Sequence, residues 1–236
     1  MPTKPTPPRS MTKKLRAGVV GVGRMGRHHA RVYAQLDETE LVGVADSHED
    51  RRCAIAEDYN CRAFSNVEDL IRAGVDVVSI AVPTTWHLAM AQPLLAAGVA
   101  CLIEKPLAGS AEEAEKIMHA ADASGAVLMV GHIERFNPIM RALRKETNGG
   151  REIVPRFMEV SRVSPMTFRS VDTSVVMDMM IHDLDVIIML MGGRERTCMS
   201  WGWRTGCCHI RARRWRAQWT KSAGCFTWRS PGRWRL

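Results

Sequence analysis

The turn Gly21-Val22-Gly23-Arg24-Met25-Gly26 constrains this chain most, because of what flanks it. An apolar strand pattern over 15–21 leads into it and a helical pattern over 25–36 leads out. Taken alone, G-x-G-x-x-G is weak. Between a strand and a helix it has the context that a dinucleotide-binding turn requires. The glycines allow a backbone to approach a pyrophosphate, whose charge meets the helix N-terminus. The plainer alternative is a tight turn that needs small residues.

The pattern beyond the turn repeats the same alternation. Strands are expected over 41–45, 75–82, 99–103 and 127–130, and helices over 49–58, 85–97 and 110–123, with a short one near Asn66 and Asp69. Ser110 and Glu113 form a capping box, and Asn137-Pro138 supplies an N-cap with an N1 proline. Strands alternating with helices imply an α/β fold, a Rossmann-type doubly wound parallel sheet over 15–134. After Asn148-Gly149-Gly150 the rhythm changes to one long strand over 153–163 and a helix from Ser174 to about 191. This reads as the start of an incomplete α+β second domain over 135–193. No internal repeat is visible.

Residues 1–14 are rich in Pro and Lys and lack an apolar signal-peptide core, so a loose leader is expected, with Met11 as an alternative start. The stretch 175–191 is apolar, yet it contains Asp178, His182, Asp183 and Asp185. Each Asp at mid-membrane costs ~2.5–3.5 kcal/mol, which favours a buried helix of a soluble protein. Cys53, Cys61 and Cys101 show no C-x-x-C spacing and fit reduced thiols in a cytoplasmic protein.

Three places carry candidate chemistry. Asp46 follows Gly26 by twenty residues, at the end of the second strand, where a carboxylate can accept from a ribose hydroxyl. That favours NAD. Arg51 and Arg52 keep NADP open, unless they only line a solvated helix face. Glu104-Lys105-Pro106 ends the apolar run over 99–103, and ligands of parallel sheets bind at that edge. Asp178, His182 and Asp185 are spaced i, i+4, i+7 and share one face of an otherwise apolar helix. Buried carboxylates and imidazoles need partners, and Asp178 can orient His182 for acid–base work. A helix with one wet edge would show the same spacing. Asp-x-x-x-His supplies only two ligands, so no metal is expected. His28, His29 and His132 are assigned no chemistry. Arg135 and Asn137 lie near the domain junction, where they contact substrate or cap a helix.

These residues together resemble the Gfo/Idh/MocA oxidoreductases, NAD(P)-dependent enzymes acting mostly on sugars and cyclitols. The resemblance covers about 15–193 and rests on the glycine turn, Pro83-Thr84 with His87, Glu104-Lys105-Pro106, Gly131-His132 to Pro138, and Asp178-x-x-x-His182-x-x-Asp185. Ser164-Pro165-x-x-x-Arg169-Ser170 with Met180-Ile181-His182-Asp183 looks most like the UDP-N-acetylglucosamine 3-dehydrogenase branch. Met180 departs from many relatives, which carry Gly there. The resemblance implies catalytic roles for Lys105, His182 and Asp178. It implies cofactor contacts at Gly21, Gly23, Arg24, Met25, Gly26, Asp46, Pro83, Thr84, His87, Glu104 and Lys105. Substrate contacts are implied at Arg135, Asn137, Arg169 and Asp185. The partner is then a sugar or nucleotide sugar. Full-length members are expected to be homo-oligomers through a large open sheet, which this chain is not expected to complete.

Residues 194–236 differ from everything before them. They hold eleven Lys and Arg against one acid, so subtracting their +10 from the net +8 leaves −2 for the other 193 residues. Six of seven Trp and four of seven Cys also lie there. No strand alternation or helical stripe is evident in this tail, and it reads as an out-of-frame product of a shift between about 191 and 200. A frame one base earlier turns every tail Trp and Cys codon into one for Leu, Met or Val. The first long strand would then lack most of its sheet and leave an exposed edge. The other reading of the tail is a nucleic-acid-binding arm, in which cations meet phosphates and rings stack on bases. It predicts salt-sensitive binding that disappears on cutting after Gly193. The −2 of the body argues against nucleic acid as the main partner.

Overall fold

The structure, a computed structural model, describes residues 13–148, 155, 157–163, 176–191, 197–204, 207–214 and 226–228. The chain divides into two units, Met1–Gly131 and His132–Leu236.

In the first unit the expected alternation becomes β1 (Leu15–Val20), α1 (Gly26–Gln35), β2 (Thr39–Ala45), α2 (Glu49–Asp58), β3 (Arg62–Phe64), α3 (Val67–Arg72), β4 (Val77–Ile80), α4 (His87–Ala96), β5 (Ala100–Ile103), α5 (Ala111–Ser124) and β6 (Leu128–Val130). The strands are parallel in the order β3-β2-β1-β4-β5-β6. The order reverses between β1 and β4, and ligands of such sheets bind in the crevice at that point. Apolar residues face both ways because helices cover both faces. On one face Leu70, Leu94, Leu95 and Ile117 pack against Val20, Val78, Ile80 and Ile103. On the other, Ala30 and Ala56 pack against Val19 and Val44.

A register shift in the β1–β2 pairing leaves Val42 as an extra residue between Leu41 and Gly43. Such a bulge reverses the alternation. Leu41 and Val44 therefore share one core while Val42 and Ala45 share the other. The caps form as the sequence predicts. Asn66 Oδ1 accepts from the Asp69 N–H at 2.8 Å, and Ser110 Oγ from the Glu113 N–H at 3.2 Å.

The second unit holds α6 (Pro138–Asn148), β7 (Phe157–Val163), α7 (Ile181–Met191), β8 (Thr197–Arg204), β9 (Cys207–Arg214) and β10 (Phe226–Trp228). Its sheet is antiparallel, in the order β10-β8-β9-β7. Two expectations are corrected here. The tail contains strands, and β7 does not lack a partner: it pairs with β9 from Phe157 opposite Arg213 to Val163 opposite Cys207. Unpaired strand backbone is costly to bury, and Trp, Thr, Cys and Ile sit readily in strands, so these segments supply the ladder despite their basic composition. A π-helical turn, Val176–Met180, also precedes α7 where a continuous α-helix was expected. Ser174 lies outside the described residues.

Candidate active site

The site in the first unit is built on the turn between β1 and α1. Gly21 takes φ +81°, and its N–H donates to the Ala45 carbonyl at 2.7 Å, tying the turn to the end of β2. Gly26 packs so closely that a Cβ there would overlap the Gly21 carbonyl oxygen. Around Gly23 a Cβ would meet only the Arg51 guanidinium, 3.8 Å away. The turn is thus a backbone cradle with its middle open and a cation beside it. That arrangement fits a pyrophosphate at a helix N-terminus. Arg24 and Met25 are exposed on the cradle.

Asp46 stands at the end of β2 with its side chain 7% exposed. Its Oδ2 accepts from the Val22 N–H at 2.9 Å and its Oδ1 from the His48 N–H at 2.8 Å. Each oxygen keeps a second lone pair for a ribose hydroxyl. The carboxylate is therefore a strut for the glycine turn as well as a candidate ligand. Arg52 is engaged locally, with its guanidinium 3.4 Å from the carbonyls of Asp46 and Ser47 and 3.5 Å from Glu49. Of the two arginines, Arg51 is the one near the cradle.

The C-terminal ends of β4 and β5 carry the remaining residues of this unit. Pro83 and Thr84 enter a short 3-10 turn, Thr84–Trp86. His87 was expected as a cofactor contact, but it is 1% exposed and its ring faces backbone oxygens on both sides. Nδ1 lies 3.0 Å from Pro106 O and Nε2 lies 3.0 Å from Val82 O. Its position is that of a brace between the Pro83–Thr84 loop and the Lys105–Pro106 loop. A histidine one turn after a Pro-Thr loop gives no sequence signal of which way its ring points. Lys105 is half-buried at the end of β5 and precedes a cis peptide to Pro106.

Glu104 has the partner that the sequence did not reveal. His29 Nε2 is 2.8 Å from its Oε1, with the two side chains 17% and 12% exposed. Burial pushes the Glu104 carboxyl up. The hydrogen bond and charge of His29, with the N–H and charge of Lys105, outweigh burial and hold it below its ordinary range. Nothing local distinguishes His29 from the exposed His28, because only the fold brings α1 against the end of β5.

In the second unit Arg135 and Asp185 meet. Nε donates to Oδ2 at 2.7 Å and Nη2 to Oδ1, which raises the Arg135 pKa chiefly through these hydrogen bonds. His132 Nδ1 is 3.9 Å from the same carboxylate. Asn137 is a cap: its Oδ1 accepts from the Ile139 N–H at 3.0 Å. Asp178 lies in the π-helical turn and His182 in the first turn of α7, both partly buried. Arg169 lies outside the described residues. The proposed catalytic trio thus divides, Lys105 in the first unit and Asp178 and His182 in the second. Among the described residues no cluster of three His, Cys, Asp or Glu could hold a metal ion, and no described helix is long and apolar enough to cross a membrane.

A parallel sheet with a glycine cradle at its switch point and a carboxylate after the second strand defines a Rossmann-type dinucleotide-binding domain. Residues 15–132 match the model of an oxidoreductase family with an NAD-binding Rossmann fold, and the chain belongs to this Gfo/Idh/MocA family, with NAD as its cofactor. It is 43% identical over 178 residues to UDP-N-acetylglucosamine 3-dehydrogenase of Acidithiobacillus ferrooxidans, across 75% of this chain and 55% of that protein. A solved structure of that dehydrogenase superimposes with a TM-score of 0.71, covering 80% of this chain and 60% of the other at 39% identity. Inositol 2-dehydrogenase of Corynebacterium glutamicum is 33% identical over 189 residues, covering 78% of this chain and 56% of that protein. The WlbA dehydrogenase of Bordetella pertussis, solved with NADH and UDP-GlcNAcA, matches with a TM-score of 0.70 at 26% identity, over 82% of this chain and 59% of the other. The chain therefore spans little more than half the length of these relatives.

Proposed function

We propose that the chain is an NAD-dependent oxidoreductase of sugars or nucleotide sugars, of the UDP-N-acetylglucosamine 3-dehydrogenase kind. The observation that carries this is the position of Lys105, at the end of β5 and across the switch point from Asp46. A dinucleotide anchored by its adenosine half at Asp46 extends its other half toward that lysine.

Gly21, Gly23 and Gly26 admit the pyrophosphate, with Arg24, Met25, Pro83 and Thr84 lining its course. Asp46 holds the adenosine ribose. When bound, NAD supplies the hydride acceptor. Lys105 donates a hydrogen bond to the reacting hydroxyl and stabilises negative charge as its proton leaves. His182 takes that proton as general base, and Asp178 orients His182. The alcohol thereby loses a proton to His182 and a hydride to the cofactor, leaving a ketone. His87 acts indirectly, by bracing the two loops. Arg169 and Asn137 are proposed to contact the substrate. Asp185 and Arg135 serve as a fixed pair.

A second reading is cofactor binding without turnover, which the glycine cradle and Asp46 of the first unit support by themselves. Titration with NADH, followed by an assay of NADH formation from NAD and UDP-N-acetylglucosamine, separates the two. Binding with turnover supports the dehydrogenase, and binding alone supports the second function. Absence of NADH binding overturns both. We further propose a cytoplasmic protein.

A further inference from the structure

The two histidines in the first turn of α1 have different surroundings. His28 is exposed, whereas His29 reaches the end of β5 and places Nε2 2.8 Å from Glu104 Oε1. An ionised carboxylate only accepts, so Nε2 carries the hydrogen. The other oxygen, Oε2, is 3.3 Å from the Lys105 N–H, and a Cβ on Gly131 would stand 3.2 Å from it. Both oxygens are therefore fixed, on a side chain only 12% exposed. His29 and Lys105 are the titratable neighbours that act on this carboxyl.

Burial favours the neutral form of a carboxyl, and a donated hydrogen bond favours the ionised form. At Glu104 the donor comes from the helix that carries the glycine cradle. The strand order puts β5 across the switch point from Asp46. On the cofactor assignment above, on which this step rests, Glu104 then belongs to the nicotinamide half. The oxidised nicotinamide ring bears a positive charge that the reduced ring lacks. A fixed carboxylate there acts on one redox form and not the other.

We propose that His29 is a positioning residue of the cofactor site. It keeps Glu104 ionised and aimed, and the pair sets the preference between oxidised and reduced nicotinamide. Removing the donor leaves burial opposed by Lys105 alone and frees the carboxylate from the contact that aims it. His29→Ala should therefore act in the same direction as Glu104→Gln, and less strongly.

The test compares NAD and NADH dissociation constants for the full chain, His29→Ala, His29→Gln, Glu104→Gln and the double variant His29→Ala/Glu104→Gln. Gln offers an N–H in place of Nε2. Expected is a shift of about fivefold toward NADH in Glu104→Gln, from loss of one unit charge near the ring, and a smaller shift in the same direction in His29→Ala. His29→Gln should stay close to the parent ratio, and the double variant should shift no further than Glu104→Gln. Equal weakening of both redox forms in His29→Ala would make His29 a packing residue and overturn the inference while leaving the cofactor assignment intact. So would a His29→Gln ratio that follows His29→Ala. A parent chain that binds neither redox form would overturn the cofactor assignment and this inference with it.

Discussion

Arg135 and Asp185 meet by two parallel hydrogen bonds across fifty positions of sequence, Nε to Oδ2 at 2.7 Å and Nη2 to Oδ1. The carboxylate is 7% exposed and the guanidinium 45%. Losing the arginine leaves a buried charge uncompensated, while the arginine itself stays half in water. Arg135→Ala should therefore cost about 2 kcal/mol, below the figure for a fully buried pair. Urea unfolding measures it. Arg135→Ala/Asp185→Asn should recover part of the loss, because the second change removes the stranded charge. A single variant as stable as the parent would show that the pair contributes nothing.

Gly26→Ala tests the cradle directly. The added Cβ would overlap the Gly21 carbonyl oxygen. That neighbour is backbone, so relief requires the turn itself to open. Overpacking of this kind costs ~1–3 kcal/mol, and here it should cost at least about tenfold in NADH affinity. NADH fluorescence titration reads the change. Gly98→Ala serves as a control away from the cradle: Gly98 also has positive φ, but a Cβ there would meet nothing within 4 Å. It should disturb stability and leave binding unchanged.

The sheet of the first unit was legible because its strands are β-branched and its turns carry caps and glycines. The C-terminal end of β5 illustrates the reach of that signal. An apolar run followed by Glu104-Lys105-Pro106 announces both a strand and a site, since hydrophobic period and charge change together. β3 was not legible. Its three residues, Arg62 to Phe64, are too few for a period, and only Phe64 is buried. The tail strands were hidden differently, because Arg and Trp masked the alternation from which a strand is read. The pairings His29–Glu104 and Arg135–Asp185 depend on folding across 75 and 50 positions. No local pattern encodes such a meeting.

His87 is expected to matter for stability more than its place in a loop motif suggests. The ring is 1% exposed and lies between the carbonyls of Val82 and Pro106. Truncation opens a cavity and removes the ring N–H that one of these oxygens accepts from, together worth about 3 kcal/mol. His87→Ala should lower the thermal midpoint by several degrees, on the order of 2–4 °C per kcal/mol for a chain of this size. An unchanged midpoint would mean that the loops are held by other contacts.

Thiol reactivity should separate the body's cysteines by burial. Desolvation pushes Cys101 up to about 12 and Cys61 up to about 11, while Cys53 is exposed. The thiolate is the reactive form, so a raised pKa and a closed environment both protect. Iodoacetamide at pH 8, followed by peptide mass mapping, should label Cys53 well before Cys61, and Cys101 only in denaturant. Labelling of Cys101 at the rate of Cys53 would contradict the closed core around β5.

Acid should remove one specific contribution to the stability of the first unit. Burial raises Glu104, but the hydrogen bond and charge from His29 and the neighbouring Lys105 bring it below its ordinary range in the folded chain. A carboxyl depressed by folding binds its proton less readily when native than when unfolded. Its contribution is therefore fully present above the ordinary carboxylate value, and is lost as pH falls through the lower folded value. Unfolding free energy measured from pH 7 downward should fall across that window. In Glu104→Gln the fall should be shallower, because a neutral amide has no proton to gain. Parallel acid limbs for parent and variant would show that the Glu104 carboxyl is not held ionised by folding.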